Sequence, residues 1–293
     1  MNIDGATAFT GIIGWPIEHT LSPVFQNAAF AHAGLDWVYL PFKVAPDKLE
    51  QALRGLAAAG CRGLNVTMPH KQEAHDLVDE IAESAAIVSA VNTIEFKGGR
   101  LIGHNTDGPG FISSLAQEAG FKPAGARVLI IGAGGAAQSI ALSLAAAGAS
   151  GIKILNRTPA KAENIVGLIR SNFSGCSASA GDVRDAAAVA DSDLVVNATS
   201  VGMAANPGVP LAPDHLQSGQ IVCDVIYWPS ETEFLRLAKQ RGAKTVNGTS
   251  MLLHQGAAAF TVWTGLSAPI REMAAALEAE LSDRGTEGVS ATY

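Results

Sequence analysis

The stretch Val128-Leu129-Ile130-Ile131-Gly132-Ala133-Gly134-Gly135-Ala136-Ala137 decides the fold of this chain. It begins with large apolar residues, which are typical of a parallel strand buried between two layers of helices. The glycines that follow predict a tight turn, and the alanine-rich residues 138–147 predict a helix. Gly132 permits the turn, Gly134 lets a ligand approach the backbone, and the small residues 135–137 let the helix pack close to the strand.

The N–H groups at the start of such a helix point at the turn and favour a pyrophosphate. Tight strand-to-helix turns also occur without a ligand, so the neighbouring sequence has to support the interpretation. The next apolar run, residues 152–155, ends about 20 residues after the turn, where a dinucleotide-binding unit places the acid that binds the ribose. We therefore predict a dinucleotide site that includes Gly132, Ala133, Gly134, Gly135 and Ala136.

The residues at the ribose position indicate which dinucleotide is bound. This chain has Asn156-Arg157-Thr158 in place of an acid, with Lys161 one helical turn later. An acid would accept a hydrogen bond from a free 2′-hydroxyl, whereas cations suit a 2′-phosphate. We therefore favour NADP and keep NAD as the alternative. The same residues also fit a plain helix start, with Thr158 as N-cap and Pro159 in the first position.

The composition limits the class of protein. The 293 residues suggest about two domains, and the net charge of −7 argues against bulk attraction to nucleic acid or to acidic membranes. The three cysteines form no CxxC pair, which fits free thiols in a reducing cytoplasm. The first residues include Asp4 and no basic run, so we expect no signal peptide.

Two further patterns are excluded as sites. The uncharged residues 128–152 are interrupted by glycines, serines and Gln138, so they do not predict a membrane span. His70 and His75 lie on different faces of a helix, so their spacing predicts no metal site. We expect no nucleic-acid, membrane or metal partner.

Strands and helices alternate along most of the chain, which predicts parallel sheets in both halves. The predicted strands are residues 8–13, 37–42, 64–66, 91–96, 101–104, 128–131, 152–155, 193–197, 221–225 and 243–246. The predicted helices are residues 22–33, 46–59, 71–78, 82–88, 105–119, 138–147, 160–170, 231–241, 250–265 and 269–281. Residues 97–100 predict a hairpin. We place one domain at 1–107 plus 249–293 and the other at 108–248, and we expect the polar tail from Ser282 to be mobile.

Polar residues gather where predicted strands end, which is where open α/β sheets bind ligands. They form clusters at residues 19–23, 65–71, 92–93 and 105–107. Their hydroxyls, amides, lysine and carboxylate suit a small polyhydroxylated acid. Each also has a plainer explanation: Ser22 caps its helix, Asn92 holds a turn, Asp107 is an N-cap, and Lys71 faces solvent.

Nine motifs, in one order over about residues 9–271, are similar to those of the shikimate dehydrogenase family. They are HTLSP at 19–23, NVTMPHK at 65–71, AVNT at 90–93, NTDGPG at 105–110, GAGGAA at 132–137, NRT at 156–158, NATSVGM at 197–203, DVIY at 224–227 and MLLHQG at 251–256.

The resemblance implies an α/β fold of two domains with a cleft between them. The N-terminal domain would bind substrate, the Rossmann-type domain would bind the dinucleotide, and the C-terminal helices would pack back on the first domain. The implied reaction is reversible reduction of 3-dehydroshikimate to shikimate with a nicotinamide cofactor, a step toward aromatic amino acids. Carried over by position, the implied substrate residues are Thr20, Ser22 and Tyr227 for the carboxylate and Thr67, Asn92 and Gln255 for the ring hydroxyls. The implied residues of the nicotinamide side are Thr199, Val201, Met203 and Gly248, and Val225 is a further implied cofactor residue.

The resemblance also places Lys71 and Asp107 on either side of the reacting oxygen. When hydride adds to a carbonyl carbon, negative charge develops on the oxygen, and a proton must then arrive there. Lys71 suits both tasks, as electrostatic stabiliser and as proton donor. Asp107 would orient the substrate hydroxyl and the ammonium.

Some residues depart from the family pattern. Thr20 replaces the usual serine, and Ser89 replaces the usual glycine before Ala90. Gln26 and residues 263–265 are similar to the branch that uses quinate, which more often favours NAD. Quinate, or an amino analogue of shikimate, is therefore the alternative substrate. The resemblance leaves the assembly open, including a homodimer.

Two other functional classes compete with this interpretation. A non-catalytic nucleotide-binding regulator on the same fold is expected to lack the reactive pair, but Lys71 and Asp107 are both present. A related dehydrogenase acting on folate or on an aminoacyl-tRNA is disfavoured by the carboxylate motif and by Gln255. The acidic net charge also argues against tRNA.

Overall fold

The computed structural model of the protein describes residues 3–287. The chain divides into two compact units, residues 1–106 with 253–293 and residues 107–252. The sequence placed the corresponding boundaries after residues 107 and 248. Within residues 3–287, no helix has the length and apolar character needed to cross a membrane.

The first unit alternates strands and helices over its N-terminal part. Its strands are β1 (Ala8–Gly14), β2 (Trp37–Lys43), β3 (Gly63–Val66), β4 (Glu80–Ile81), β5 (Thr93–Lys97) and β6 (Arg100–His104). Its helices there are α1 (Ser22–His32), α2 (Leu49–Ala58), preceded by a 3₁₀ turn at Pro46–Lys48, α3 (Lys71–Leu77) and α4 (Glu83–Ala86).

These strands form one sheet in the order β2-β1-β3-β5-β6-β4. Strand β1 is parallel to both β2 and β3, as the alternation with helices requires. The hairpin predicted at residues 97–100 is confirmed and makes β5 antiparallel to β6 and to β3, so this sheet is mixed. The sequence missed β4, because two residues are too few to show any period.

The second unit alternates helices and strands regularly over residues 107–246. Its helices are α5 (Asp107–Ala119), α6 (Gly135–Ala146), α7 (Pro159–Asn172), α8 (Ala186–Ala190) and α9 (Glu233–Gln240), with a 3₁₀ turn at Pro213–His215. Its strands are β7 (Arg127–Ile131), β8 (Gly151–Leu155), β9 (Ser177–Gly181), β10 (Leu194–Asn197), β11 (Ile221–Asp224) and β12 (Lys244–Val246). The chain ends with α10 (Gly248–Thr264) and α11 (Ile270–Glu287).

The second sheet is parallel throughout, in the order β12-β11-β10-β7-β8-β9. This is the 3-2-1-4-5-6 order of a dinucleotide-binding unit, in which the direction of winding reverses beside the first strand. That first strand is β7, and its residues 128–131 are buried, as the opening apolar run predicts. The expected Rossmann-type fold of this half is confirmed.

The C-terminal helices pack against α1 and the first sheet, which confirms that expectation. Phe260 of α10 stacks on Phe30 of α1 with ring centroids 5.6 Å apart. The indole of Trp263 donates a hydrogen bond to the Ile94 carbonyl at 3.0 Å, deep in the core of the first unit. The last helix packs against α1.

Several boundaries differ from the prediction. Helix α6 begins at Gly135, three residues before the predicted start at 138, because small residues leave the first turn unobstructed. Strand β9 was missed, since its Ser and Ala residues carry little strand preference and it is defined by pairing with β8. The expectation of a mobile tail from Ser282 is wrong up to Glu287, because α11 continues with an Arg284–Glu280 ion pair one turn apart. Residues 288–293 lie outside the described part of the chain.

Candidate active site

In the first unit, hydrogen bonds connect the loops that follow β1 and β3. These two strands are neighbours at the point where the order of the strands in the sheet reverses. The Thr67 N–H donates to the Ile13 carbonyl at 2.9 Å, and the Trp15 N–H donates to the Met68 carbonyl at 3.0 Å. The loop after β1 leads to Thr20 and Ser22, and the loop after β3 leads to Lys71. A crevice at this switch point is the usual ligand site of an open sheet.

Lys71 is fixed beside the predicted hydroxyl-binding residue Asn92. Lys71 is the first residue of α3 and is half-buried. Its carbonyl accepts a hydrogen bond from the Val91 N–H at 2.8 Å, and the Asn92 carbonyl accepts one from the Val66 N–H at 2.8 Å. The main chain therefore brings Lys71, the end of β3 and Asn92 together.

The Asn92 side chain spans two segments of this site. Its amide nitrogen donates to the Thr106 hydroxyl at 2.9 Å, and its amide oxygen accepts from the Thr106 N–H at 2.8 Å. These bonds agree with the plainer interpretation of Asn92, in which its side chain holds the local backbone in place. A role in binding a ring hydroxyl would be additional to them.

The prediction that Ser22 caps α1 is wrong. Leu21 holds the N-cap position without a side-chain bond, so Ser22 is the first helical residue. The Ser22 N–H donates to the Thr20 hydroxyl at 3.3 Å, which joins the two residues predicted to hold a carboxylate. Burial raises the pKa of the Tyr39 phenol well above its ordinary value, and a hydrogen bond from the Ser22 side chain opposes that rise.

Tyr39 belongs to a buried polar ladder that the sequence analysis did not single out. Its hydroxyl donates to Asn65 Oδ1 at 2.7 Å, and Asn65 Nδ2 donates to the Thr93 hydroxyl at 3.0 Å. The Thr93 hydroxyl then donates to Asn92 Oδ1 at 3.1 Å. The ladder connects Ser22 with Asn92 through side chains of β2, β3 and β5. The available signal was the phenol itself, since a buried tyrosine hydroxyl requires a partner.

Gln255 is held near the start of α1 through the next residue of its helix. Gln26 lies one turn along α1 from Ser22, and both side chains are buried. The Gln26 amide nitrogen donates to the Gly256 carbonyl at 2.8 Å. The first unit therefore gathers the predicted substrate residues Thr20, Ser22, Thr67, Asn92 and Gln255, together with Lys71.

In the second unit, the turn after β7 has the predicted form. Gly132 has φ of +106°, which residues with a Cβ rarely adopt, and a Cβ there would lie 2.8 Å from the Ala198 carbonyl oxygen. Gly134 is the exposed N-cap of α6, and a Cβ built on it would meet no atom within 4 Å. The open side of residues 133–136 and the helix start behind it suit an anion.

The segment after β8 presents cations to solvent, as predicted. Arg157 and Lys161 are exposed, and neither forms an ion pair with another residue of the described chain. Asn156 is half-buried, and its amide donates to the Thr158 carbonyl at 2.9 Å. Thr158 holds the N-cap position of α7, with Pro159 first in the helix, but its side chain makes no capping bond.

The loop after β10 is organised by Asn197. Asn197 Oδ1 accepts from the Thr199 N–H at 3.1 Å and from the Thr199 hydroxyl at 2.7 Å. Asn197 Nδ2 donates to the Val201 carbonyl at 2.9 Å. Thr199, Val201 and Met203 are half-buried on this loop, next to the Gly132 turn.

The ends of the next strands complete the group. The Val225 N–H donates to the Asn197 carbonyl at 3.0 Å. The Gly248 N–H donates to the Ile226 carbonyl at 3.0 Å, and a Cβ on Gly248 would overlap the Val225 carbonyl. The second unit therefore brings together the predicted residues Thr199, Val201, Met203, Val225 and Gly248. Tyr227 follows in the same turn and is half-buried.

Asp107 is the first residue of α5 and is buried. The plainer prediction that Asp107 is an N-cap is therefore wrong, because the N-cap precedes the first helical residue, although a carboxylate in the first turn is still favoured by the helix dipole. The departure at Ser89 also has a structural explanation. Ser89 adopts φ of +48°, the left-handed conformation that glycine occupies without strain.

The remaining reactive side chains lie in the core. Burial raises the pKa of the Cys61 thiol to about 12 and raises that of the Cys223 thiol as well. In the described part of the chain, no group of three His, Cys, Asp or Glu side chains is arranged to hold a metal ion.

Comparison with known proteins places this geometry in a family. Residues 12–94 match the model of the shikimate dehydrogenase substrate binding domain, 114–205 that of shikimate/quinate 5-dehydrogenase, and 248–278 that of the shikimate 5′-dehydrogenase C-terminal domain. A protein named shikimate dehydrogenase (NADP(+)) from Desulforamulus reducens is 44% identical over 277 residues, covering 92% of this chain and 94% of its own. This chain belongs to the shikimate dehydrogenase family.

Solved structures agree with the family assignment. A shikimate dehydrogenase in complex with NADP+ superposes with a TM-score of 0.89 at 38% identity, covering 96% of this chain and 98% of its own. The Listeria monocytogenes enzyme, in complex with shikimate and NAD, gives 0.87 at 40% identity and covers 93% and 97%. The same fold also serves a Corynebacterium glutamicum quinate dehydrogenase and a Gluconobacter 5-ketofructose reductase, at 30% and 37% identity.

Proposed function

We propose that this protein catalyses the NADP-dependent, reversible reduction of 3-dehydroshikimate to shikimate. The observation that carries the proposal is the coincidence of two facts. The chain is similar over nearly its whole length to enzymes named for this reaction. Its first unit also joins Lys71, Asn92 and the Thr20–Ser22 pair at one switch point of a sheet.

We assign substrate binding to residues 1–107 plus 249–293. The Thr20 and Ser22 hydroxyls would donate to the carboxylate, with Tyr227 nearby. Thr67, Asn92 and Gln255 would bind the ring hydroxyls, whose positions distinguish this acid from other cyclic acids. Support comes from the bonds that fix these residues, since a rigid polar group loses less entropy when it binds.

Residues 108–248 would hold the dinucleotide, and the residues present fit it. The open backbone at Gly134 and the start of α6 suit the pyrophosphate, and the exposed cations Arg157 and Lys161 suit a 2′-phosphate. When bound, NADPH supplies the hydride that adds to the carbonyl carbon. The second-unit residues Thr199, Val201, Met203, Val225 and Gly248 would line its nicotinamide side.

Lys71 and Asp107 would handle the charge and the proton. The Lys71 ammonium would stabilise the negative charge that develops on the substrate oxygen and then donate a proton to that oxygen. In the oxidative direction, the same nitrogen would accept the proton from the substrate hydroxyl. Asp107 would accept a hydrogen bond from the Lys71 ammonium and, when the proton is on the substrate oxygen, from the substrate hydroxyl, so that it orients both groups.

Quinate, or an amino analogue of shikimate, with NAD is the second candidate. The Listeria structure with shikimate and NAD supports the cofactor part of this alternative. The residues that suggested the quinate-using branch have structural partners in the first unit: Gln26 bonds to Gly256, and Trp263 bonds to Ile94. These bonds explain the presence of Gln26 and Trp263 without a special substrate.

The buried free thiols further favour a reducing compartment such as the cytoplasm.

The test is the absorbance of the reduced nicotinamide with shikimate and with quinate, each paired with NADP+ and with NAD+. We expect the highest kcat/KM for shikimate with NADP+. A higher value for quinate would replace the substrate, and exclusive use of NAD+ would overturn the cofactor assignment. No turnover of any cyclohexane or cyclohexene carboxylic acid would refute the enzymatic proposal.

A further inference from the structure

Two buried polar side chains stand at the carboxyl ends of adjacent strands in the second unit. Asn197 ends β10, Asp224 ends β11, and the two residues are paired in register. Both have 0% of their surface exposed. Asn197 Nδ2 donates to Asp224 Oδ1 at 3.1 Å. Burying a polar side chain lowers the stability of the fold unless each of its polar atoms is hydrogen-bonded. The hydrogen bonds of these two side chains therefore show which loop segments they fix in place.

Asn197 uses its whole hydrogen-bonding capacity. Its oxygen accepts both bonds from Thr199, and its nitrogen donates to the Val201 carbonyl and to Asp224. An amide side chain has two donor hydrogens and two acceptor sites, so all of them are occupied. The Thr199 hydroxyl in turn accepts from the Val201 N–H at 3.1 Å. One side chain therefore sets the course of the loop after β10.

Asp224 holds the opposite side of the same arrangement. Its carboxylate accepts from the Ile226 N–H at 3.0 Å and from the Thr232 hydroxyl at 2.8 Å, besides the bond from Asn197. Burial raises the pKa of Asp224, and these three donors oppose the rise. The turn that Asp224 fixes contains Val225 and presses against Gly248.

We propose that Asn197 and Asp224 are positioning residues that hold the nicotinamide-side loops in register, while taking no part in binding the adenine end of the dinucleotide. This inference rests on the proposed function, since it takes residues 199–203, 225 and 248 as the nicotinamide side. The residues predicted to bind the 2′-phosphate at the adenine end, Arg157 and Lys161, follow β8, and the side-chain bonds of the pair do not reach that segment. The pair therefore acts on one end of the ligand.

We expect variants of this pair to lose affinity only for ligands that contain the nicotinamide end of the cofactor. The experiment uses the full chain, two probes and calorimetric Kd values. NADP+ carries both ends, whereas adenosine 2′,5′-bisphosphate carries the adenine and the 2′-phosphate without the nicotinamide. Asn197→Ala should weaken NADP+ binding by about tenfold or more, since it leaves buried partners unsatisfied. The same variant should change the affinity for the bisphosphate by no more than about twofold, and kcat should fall while KM for shikimate changes little.

A second variant guards against misfolding. Asp224→Asn keeps the shape and can still accept bonds at its oxygen, so the fold should persist while the loss of NADP+ affinity follows the same pattern. Gln220→Ala is the matched control. Gln220 is a buried amide that donates to the Val189 and Ser192 carbonyls at the opposite end of the same sheet. Its loss should lower the melting temperature and leave the ratio of the two Kd values unchanged.

Three results would overturn the inference. They are an equal loss of affinity for both probes in a folded Asp224→Asn protein, an unchanged Kd for NADP+ in both Asn197→Ala and Asp224→Asn, and the same change of ratio in Gln220→Ala. A failure of the proposed function is distinguishable, because the wild-type protein itself would then not bind NADP+ or not turn over shikimate. A wild-type protein that binds NADP+ but acts on another acid leaves the inference intact.

Discussion

Gly132 and Gly134 stand two positions apart in one turn, and we predict that they serve different purposes. Gly132 is needed by the protein itself. An alanine there would be held at φ of +106°, with its Cβ 2.8 Å from the Ala198 carbonyl oxygen and 2.9 Å from Thr199 Cγ2. Gly134 is needed only by a ligand, because it has φ of −89° and open space where a Cβ would be placed.

The expected loss of stability in Gly132→Ala is the sum of two unfavourable energies. A residue with a Cβ in a sparsely populated conformation costs about 1–3 kcal/mol, and overpacking against backbone costs about 1–3 kcal/mol more. We therefore expect the free energy of unfolding to fall by about 2–6 kcal/mol. For a domain of about 150 residues, that lowers the melting temperature by roughly 4–24 °C.

Without ligand, we expect Gly134→Ala to change the free energy of unfolding by close to zero. Removing a glycine from the unfolded chain stabilises by about 0.4–1 kcal/mol, and alanine is a poorer N-cap by a similar amount. With NADP+, the added methyl would occupy the side that we assign to the pyrophosphate, and overpacking of about 1–3 kcal/mol would raise Kd by about 5-fold to 150-fold.

The assay is thermal unfolding of both variants without ligand, followed by calorimetric titration with NADP+. We expect opposite outcomes: lower stability for Gly132→Ala, and unchanged stability with weaker binding for Gly134→Ala. An unaltered Kd in Gly134→Ala would show that the pyrophosphate does not lie against this residue. A wild-type melting temperature in Gly132→Ala would show that the turn is free to relax.

Three further predictions concern single side chains. Lys71→Ala should lower kcat by about 10²–10⁴-fold in steady-state assays with little change in melting temperature, and near-normal turnover would remove its catalytic role. Arg157→Ser should raise KM for NADP+ by about tenfold, the effect of losing a charge-assisted bond, and leave KM for NAD+ unchanged; equal changes would contradict a 2′-phosphate contact. Tyr39→Phe should cost about 1–3 kcal/mol in chemical denaturation, since Asn65 Oδ1 loses a buried donor, and an unchanged midpoint would deny the ladder its structural role.

The sequence was sufficient where short stretches determine their own structure. The strand, glycine turn and helix at residues 128–146 follow from apolar residues, glycines and alanines in order, and the structure has them with φ of +106° at Gly132. The hairpin between β5 and β6 follows from adjacent glycines. The exposed cations at Arg157 and Lys161 follow from a polar segment at the start of a helix.

The sequence was insufficient where distant segments decide. The bond from Tyr39 to Asn65 depends on β2 and β3 lying on either side of β1, which no local pattern encodes. The pairing of Asn197 with Asp224 likewise depends on the register of β10 and β11. Ser22 was misjudged because serine before proline fits the N-cap as well as the first helical position, and the conformation of Leu21 settles the choice.

The most direct test of the central claim follows the hydride itself. NADPH deuterated at C4 of the nicotinamide, prepared separately with the label on each face, is incubated with 3-dehydroshikimate and the enzyme, and the product is analysed by mass spectrometry and NMR. We expect shikimate that carries one deuterium on the carbon that held the carbonyl oxygen, from one of the two labelled cofactors only. Unlabelled shikimate from both cofactors, or no shikimate at all, would contradict it.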